Sequence, residues 1–304
     1  LDAVARALGR TRRGVPLAPL TTFRIGGPAE LLFEARDQEA LARALATART
    51  HGVPARVLAG GSNVLVDDRG LAGLVVLNRA GGVRREGDRL TAGSGLPLAE
   101  LLEAAAREGL SGLEFAAGIP GSVGGAVYGN AGAYGKAMED VLVRARLLTP
   151  EGEVVEAGRE ELGFAYRTSA LKGSGGIVLE ATFALVPGDR DRIRSAMAEI
   201  IRIREAKHPD PVRFGSAGSY FKNLPPATPG GRRTPAGLLL DQVGAKGMRV
   251  GRALVSEAHA NFLVNPGGAT AADVLELARR LKALVRARFG VELEEEVLYL
   301  APLA

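Results

Sequence analysis

Apolar residues recur every three or four positions between Asp37 and His51, at Leu41, Ala44, Leu45 and Ala48. That spacing predicts a helix with one buried face. Asp37 supplies an N-cap carboxylate and Gly52 a C′ glycine, so both ends are marked. Val57-Leu58-Ala59, short and continuous, reads as a buried strand, and a second apolar run, Val64-Leu65-Val66, stands beyond Gly60-Gly61-Ser62-Asn63. The segment to about Leu77 is therefore a small β-α-β-β unit with a glycine turn between its central strands.

Further along, Arg89 to Gly93 predicts a short strand. Pro97 to Glu108 predicts a helix with proline in its first turn and Gly109 at its end. Val141 to Leu148 and Val154-Val155 flank Thr149-Pro150-Glu151-Gly152, a hairpin signal, and Ile177 to Val186 alternates as a long strand. Asp189 to Ala206 predicts a helix with Ile193, Met197, Ile200 and Ile201 on one face, ended by Pro209-Asp210-Pro211. Beyond it come a loop holding Ser219, a loop from Pro225 to Pro235, and short pieces of helix and strand. Thr270 caps a last long helix reaching Phe289-Gly290, with Val274, Leu277, Leu281, Leu284 and Val285 as its core stripe. Val297 to Leu300 is a final strand, expected to return to the first domain.

Composition sets the outer limits. A chain of 304 residues exceeds one comfortable core, so two or three domains are expected. With 46% hydrophobic and 24% charged residues it has the balance of a soluble globular protein. No signal-peptide core and no run able to span a bilayer are visible, which leads us to expect a cytoplasmic protein with no membrane partner. The absence of cysteine excludes disulfides, thiolate metal ligands and cysteine nucleophiles. The net charge of +5 comes from single arginines set beside acids, as along Asp189 to Lys207. Aromatics are only 5% of the chain and Trp is absent, so no basic stripe alternates with stacking residues and no nucleic-acid partner is expected. A modest positive field still favours anionic substrates.

Candidate chemistry concentrates in glycine. Ala117-Gly118-Ile119-Pro120-Gly121-Ser122-Val123-Gly124-Gly125-Ala126 runs on to Asn130-Ala131-Gly132-Ala133-Tyr134-Gly135. So many glycines leave backbone N–H groups uncovered for a phosphate. Ile119 and Val123 among them suggest something both anionic and apolar, a description met by a dinucleotide with a flavin ring. A tight glycine turn packed on a helix is the alternative. The Gly60–Asn63 turn likewise suits a pyrophosphate, or else is a plain β-turn between paired strands. No segment matches strict G-x-G-x-x-G, and Gly135-Lys136 is followed by Ala137, which disfavours a Rossmann or a P-loop enzyme.

In order along nearly the whole chain stand Thr21-Thr22-Phe23-Arg24-Ile25-Gly26-Gly27, the Gly-Gly-Ser-Asn turn, the Gly118 to Gly135 region and Tyr166-Arg167-Thr168-Ser169. Gly215-Ser216-Ala217-Gly218-Ser219-Tyr220-Phe221-Lys222-Asn223 and Ala236-Gly237-Leu238-Leu239-Leu240-Asp241 follow. His259-Ala260-Asn261-Phe262-Leu263-Val264-Asn265 and Glu294-Glu295-Glu296-Val297 complete the series. With these motifs the chain resembles the UDP-N-acetylenolpyruvoylglucosamine reductases (the MurB family), flavoenzymes of bacterial cell-wall synthesis, in a shorter subclass without a tyrosine-lid insertion. The resemblance implies an α/β (α+β) fold: a two-domain FAD-binding cradle of the PCMH/vanillyl-alcohol-oxidase type over residues 1–77 and 78–205, and a third, substrate-binding α+β domain over 206–296. The last strand, within 297–304, would return to the first domain. Also implied are non-covalent FAD, NADPH and UDP-N-acetylglucosamine enolpyruvate as substrates, and a monomer.

The family reaction reduces an enolpyruvyl ether to a lactyl ether, giving UDP-N-acetylmuramate for peptidoglycan synthesis. Charge develops beside a carboxylate, so a cation and an acid are needed there, and a proton donor on the right face. The resemblance implies Arg167 as the cation, Glu296 as an acid of raised pKa, and Ser219 as the proton donor, helped by a water or Lys222. Without the family, Arg167 is one surface arginine among many, Ser219 part of a flexible turn, and Glu296 part of a solvated acidic edge. Cofactor contacts are implied from Gly60, Gly61, Ser62, Asn63, Gly118, Ile119, Pro120, Gly121, Ser122, Gly124, Gly125, Asn130 and Ile177. Substrate contacts are implied from Tyr166, Lys207, Lys222 and Asn223, with Arg202, Arg204 and Arg213 as additional charge. His51, at a helix end, reads as structural, His208 and His259 lack metal-ligand spacing, and no metal is expected. Two departures from the family pattern stand out: Leu224 where a proline often follows Phe-Lys-Asn, and Gly129 where a larger residue is common. A flavin oxidase on the same cradle and a non-catalytic UDP-sugar-binding module are the competing readings.

Overall fold

The computed structural model describes residues 1–226, 228 and 231–302. Their contacts group into two compact units, one of residues 1–13, 31–60 and 73–204, the other of 14–30, 61–72 and 205–304.

The first unit is shaped by two sheets. Asp37 does cap the helix Gln38–Thr50, its carboxylate accepting the Ala40 N–H at 2.7 Å. Ala40, Leu41, Ala44 and Ala48 are buried on the face that the spacing predicted. They pack with Leu31, Phe33, Leu74 and Val76 of a four-stranded sheet ordered Arg12–Pro16, Pro28–Ala35, Leu71–Asn78, Ala55–Leu58. The second sheet is antiparallel and five-stranded, ordered Val154–Gly158, Leu142–Leu148, Ile177–Ala184, Arg89–Gly93, Val83–Glu86. Its hairpin closes as expected, with Leu148 opposite Val154 and the Thr149 N–H bonded to the Glu153 carbonyl at 2.8 Å. The helices Leu98–Arg107 and Val123–Tyr128 share a core with this sheet, through Leu98, Leu101, Val123 and Val127.

Several boundaries differ from the expectation. Pro97 is the N-cap of its helix rather than a first-turn residue. The long strand stops at Ala184, and Val186–Pro187 turns away to pair with Leu110–Ser111. The helix Arg190–Lys207 buries only Ile193 fully, while Ile201 is exposed. The helix Val123–Tyr128 was not expected at all, because its two glycines are poor helix formers.

In the second unit the long helix Ala271–Phe289 is the centre of the core. Thr270 and Asp273 form a reciprocal capping box, and Gly290 ends the helix in the left-handed conformation. Val274, Leu277, Leu281 and Val285 are buried, whereas Leu284 lies at the stripe's edge and is exposed. The helix Ala236–Gln242 and a three-stranded antiparallel sheet, Arg249–Val250, Ala253–Val255 and Leu263–Val264, complete this core. Leu298–Leu300 pairs in parallel with Val64–Val66, Leu298 opposite Val64. Part of the expected loop from Pro225 to Pro235, at positions 227, 229 and 230, and the last two positions, 303 and 304, lie outside the described residues. Among the described residues no helix is long and apolar enough to cross a membrane, and no group of three or more His, Cys, Asp or Glu could hold a metal ion.

Candidate active site

The Gly60–Asn63 turn does not join paired strands. Ala55–Leu58 pairs with Leu74 to Leu77, and Val64–Val66 pairs with Leu298–Leu300. A β-hairpin turn is therefore excluded, and the turn is instead a backbone crossing between two different sheets. The boundary between the units falls within it, after Gly60.

In the first unit, glycines let main chain lie on main chain. A Cβ at Gly60 would stand 2.8 Å from the Gly121 Cα, and one at Gly124 would stand 2.8 Å from the Ser94 Cβ. The Gly124 N–H donates to the Ser94 carbonyl at 2.8 Å, the Leu98 N–H to the Gly121 carbonyl at 2.9 Å. Ser122, buried, caps the short helix after it by accepting the Gly125 N–H at 3.2 Å. Gly118 adopts φ of +71°, and its carbonyl accepts Arg204 Nε at 3.1 Å. Ile119 packs part-buried on the core, while Pro120 is exposed. The result is a run of glycine backbone edged by small polar and apolar side chains, close to backbone from Gly60 and Ser94. This donor set, amides with serine hydroxyls and no acidic side chain, fits the diphosphate of a dinucleotide.

Arg167 sits in a tight turn of the same unit, with φ of +58°, and its guanidinium lies 5.3 Å from the Tyr166 ring centroid. Ala165 and Thr168 exchange backbone hydrogen bonds across that turn, each at 3.1 Å. Asn130 braces it. Its Nδ2 donates to the Ala165 carbonyl at 3.0 Å and to Glu139 Oε1 at 2.9 Å, and its Oδ1 accepts the Glu139 N–H at 3.1 Å. Lys172 Nζ donates to the Arg167 carbonyl at 2.7 Å, and Ser169 Oγ to the Tyr128 carbonyl at 2.8 Å. Burial lowers the pKa of Arg204 most, and the like charge of Arg167 acts in the same direction. Ile177 opens its strand opposite Leu148 and lines a groove with Leu45 and Val53.

In the second unit, the chain from Tyr220 to Lys222 lies against Glu294 to Glu296. The Glu296 N–H donates to the Tyr220 carbonyl and the Lys222 N–H to the Glu294 carbonyl, both at 2.8 Å. Ser219 is thus one residue from the backbone partner of Glu296. Gly61, at φ of +58°, approaches the Leu20 carbonyl so closely that a Cβ would stand 2.3 Å from it. Asn63 Nδ2 donates to the Glu296 carbonyl at 3.1 Å, so this end of the glycine turn meets the Glu296 segment directly. Lys222 pairs with Glu294. Asn223 Oδ1 accepts the Ala236 N–H at 3.2 Å, capping the helix that follows, and Lys207 is exposed at a helix end. Ser219, Asn223, Lys246, His259 and Asn261 line one cavity of about 360 Å³. Sequence reasoning passed over Asn261 and Lys246, although Asn261 stands in a motif already singled out.

Residues 29–158 match the FAD binding domain family, a range that holds both glycine segments. The chain is therefore an FAD-binding protein. Residues 210–300 match the UDP-N-acetylenolpyruvoylglucosamine reductase C-terminal domain, a range that holds Ser219, Lys222, Asn223 and Glu296. A Synechococcus sp. (strain JA-3-3Ab) protein named UDP-N-acetylenolpyruvoylglucosamine reductase is 44% identical over 97% of this chain and 93% of its own length. A Symbiobacterium thermophilum protein named UDP-N-acetylenolpyruvoylglucosamine reductase 2 is 44% identical over 98% of this chain and 94% of its own. The crystal structure of UDP-N-acetylenolpyruvylglucosamine reductase (MurB) from Thermus caldophilus superposes with a TM-score of 0.80 at 39% identity, covering 96% of this chain and 99% of that one. The chain belongs to the UDP-N-acetylenolpyruvoylglucosamine reductase family.

Proposed function

We propose that the protein reduces the enolpyruvyl ether of UDP-N-acetylglucosamine to the lactyl ether, UDP-N-acetylmuramate, with NADPH as reductant. When bound, FAD supplies the hydride path between the two substrates. Backbone and hydroxyls of Gly60 to Asn63 and of Gly118 to Gly125 would hold its diphosphate. The protein's own part is electrostatic and protic. Arg167 neutralises the charge that grows on the substrate carboxylate, where a guanidinium's fork suits two oxygens better than an ammonium does. Ser219 gives the proton to the carbon beside that carboxylate, and Glu296 faces the same group. Tyr166, Lys207, Lys222 and Asn223 bind the UDP moiety.

The observation that supports this most is the pairing of Tyr220 with Glu296 at 2.8 Å, which keeps the proposed proton donor and the proposed acid on adjoining backbone. The assignment of residues 1–77 and 78–205 to FAD and 206–296 to substrate is part of the same proposal. So are monomeric action in the cytoplasm and independence from nucleic acid and membrane.

The test is anaerobic. Flavin is bleached with NADPH, and UDP-N-acetylglucosamine enolpyruvate is then added. Prompt return of oxidised flavin is the expected result, with Ser219→Ala slowing that return at least 100-fold (about 10²–10⁴ for a lost general acid). Flavin that stays reduced until air enters would overturn the reductase reading. An unslowed Ser219→Ala would overturn the proton-donor role.

A further inference from the structure

We propose that His259 is the positioning residue of the Ser219 loop: its Nδ1 holds Asn261, and Asn261 holds the backbone that carries Ser219 in register with the Glu296 segment. The proposal rests on the roles given above to Ser219 and Glu296.

The bonds form one unbroken chain. The Asn261 N–H donates to His259 Nδ1 at 3.1 Å, and the Phe262 N–H to the His259 carbonyl at 3.0 Å. Asn261 then brackets the two residues after Ser219. Its Oδ1 accepts the Phe221 N–H at 3.0 Å, its Nδ2 donates to the Phe221 carbonyl at 2.8 Å, and its own carbonyl accepts the Tyr220 N–H at 2.8 Å. The remaining backbone group of this pair, the Tyr220 carbonyl, accepts the Glu296 N–H. Every main-chain donor and acceptor of Tyr220 and Phe221 is thus committed, either to Asn261 or to Glu296. All three residues, Asn261, Tyr220 and Phe221, are at most 2% exposed. A bond lost here leaves a buried polar group unsatisfied, so the register has no cheap alternative.

An imidazole that accepts at Nδ1 must be neutral and carry its proton on Nε2. The surroundings enforce that state. The ring lies against the backbone of Gly237, where a Cβ would stand 2.9 Å from His259 Cε1. It also meets the Phe262 ring edge-on at 5.1 Å and the His208 ring at 6.0 Å. Burial, and next the Lys246 ammonium, hold its pKa below the ordinary 6.5, against a hydrogen bond to its own backbone and, more weakly, Asp241, which pairs with Lys246 at 3.0 Å. Protonation at Nδ1 would set two N–H groups face to face and release Asn261.

The first test needs no turnover. The chain has three histidines, so ¹⁵N spectra of the full protein and of His259→Asn assign its ring. The expected result is the Nε2–H tautomer at pH 7, titrating below the ordinary 6.5; an Nδ1–H tautomer overturns the proposal. The second compares flavin re-oxidation by substrate in the holoenzyme for Ser219→Ala, His259→Leu and His259→Asn. Leu cannot accept the bond, and a displaced Ser219 loop should slow the step about 10–100-fold, with a smaller change in KM. The Asn side-chain oxygen accepts the N–H two residues on, as in an Asx turn, so it should keep the rate within about 3-fold and flatten the fall expected in acid as His259 takes up its second proton. Leu and Asn variants that are equally impaired, or equally fast, overturn the proposal. Should His259→Leu fail to fold, the Asn variant decides alone: a flattened acid limb supports the proposal and an unchanged one overturns it. A fast Ser219→Ala would instead sink the role of Ser219, with the tautomer still reporting on His259.

Discussion

Asn63 Nδ2 donates to the backbone carbonyl of Glu296 at 3.1 Å, and the Asn63 carbonyl accepts the Leu298 N–H at 3.0 Å. One residue of a glycine turn thereby fixes both ends of a tripeptide 233 positions later. Asn63→Ala removes the first bond and keeps the second. We expect a loss of about 1 kcal/mol of stability by thermal melting. Flavin re-oxidation by substrate should slow about 10-fold, as Glu296 loosens. FAD affinity, titrated on stripped protein, should stay within about 3-fold, a change under 1 kcal/mol. A large fall in FAD affinity with normal turnover would make Asn63 a cofactor ligand and nothing more.

Two glycines of the cofactor segments should respond in opposite ways. At Gly60 the obstacle to a Cβ is backbone, the Gly121 Cα at 2.8 Å and carbonyl carbon at 3.1 Å, so neither side can yield cheaply. Gly60→Ala should cost about 1–3 kcal/mol and release FAD on gel filtration. Gly125 lies inside the helix Val123–Tyr128, and a Cβ there would meet only Ser122 Oγ at an ordinary 3.4 Å. Gly125→Ala should stabilise the stripped protein by about 0.5–1 kcal/mol from helix propensity, read as a higher melting point. Equal destabilisation by both would show that backbone approach is not what Gly60 provides.

Why the sequence told so much about some parts follows from the range of the forces involved. The helix Gln38–Thr50 was readable because its stripe, its Asp37 cap and Gly52 all lie within sixteen residues. The 148–154 hairpin was readable for the same reason. Nothing local announces that Val64–Val66 pairs with Leu298–Leu300, nor that Asn63 belongs to Glu296, since such pairing is settled by the whole core. Asn130, marked as a cofactor residue by its place in a glycine motif, has its amide committed to Ala165 and Glu139, and so shapes the Arg167 turn. Ile177 joins the same set by resemblance alone, since nothing in its own strand, which starts opposite Leu148, marks it in the sequence. His259 was set aside for want of metal-ligand spacing. Its His-Ala-Asn sequence carried a subtler signal, a side-chain acceptor two residues before an amide donor.

Stability should fall in acid partly through Glu180. This carboxylate is 7% exposed on its strand, with Arg84 at 3.0 and 3.1 Å, Gln38 Nε2 at 2.9 Å and Arg146 at 3.6 Å. The Arg84 bidentate bond, against the cost of burial, brings its pKa down from 4.5 to about 2. A depressed folded-state pKa gives stability that is complete above the unfolded value and disappears as pH falls from 4.5 toward about 2. The whole shift would amount to about 3 kcal/mol, but Arg84 is half exposed and screened, so about 1–2 is expected. Urea unfolding at pH 7 and pH 3 should show Glu180→Gln losing less on acidification than the parent. Asp67, held at about 2 by Arg69, titrates in the same window, so the variant's acid loss shrinks without vanishing.

The N-terminus of the helix Ala271–Phe289 is capped twice, and the two caps should act separately. Thr270 Oγ1 accepts the Asp273 N–H at 3.0 Å, while the distant Asp68 takes the two amides before it, Ala271 at 2.8 Å and Ala272 at 3.1 Å. Each satisfies N–H groups that the helix cannot pair internally, and the Asp68 carboxylate also faces the positive end of the helix dipole. Asp68→Ala and Thr270→Ala should each cost about 1 kcal/mol in urea unfolding. Because they serve different amides, the double variant should lose about 2 kcal/mol, the sum of the two. Asp68→Asn keeps an acceptor oxygen and loses the charge, so it should fall between the parent and Asp68→Ala. A double variant no worse than Asp68→Ala would mean that the helix start is already frayed once Asp68 is gone. Asp68 would then be the sole effective cap, and Thr270 a passenger of its geometry.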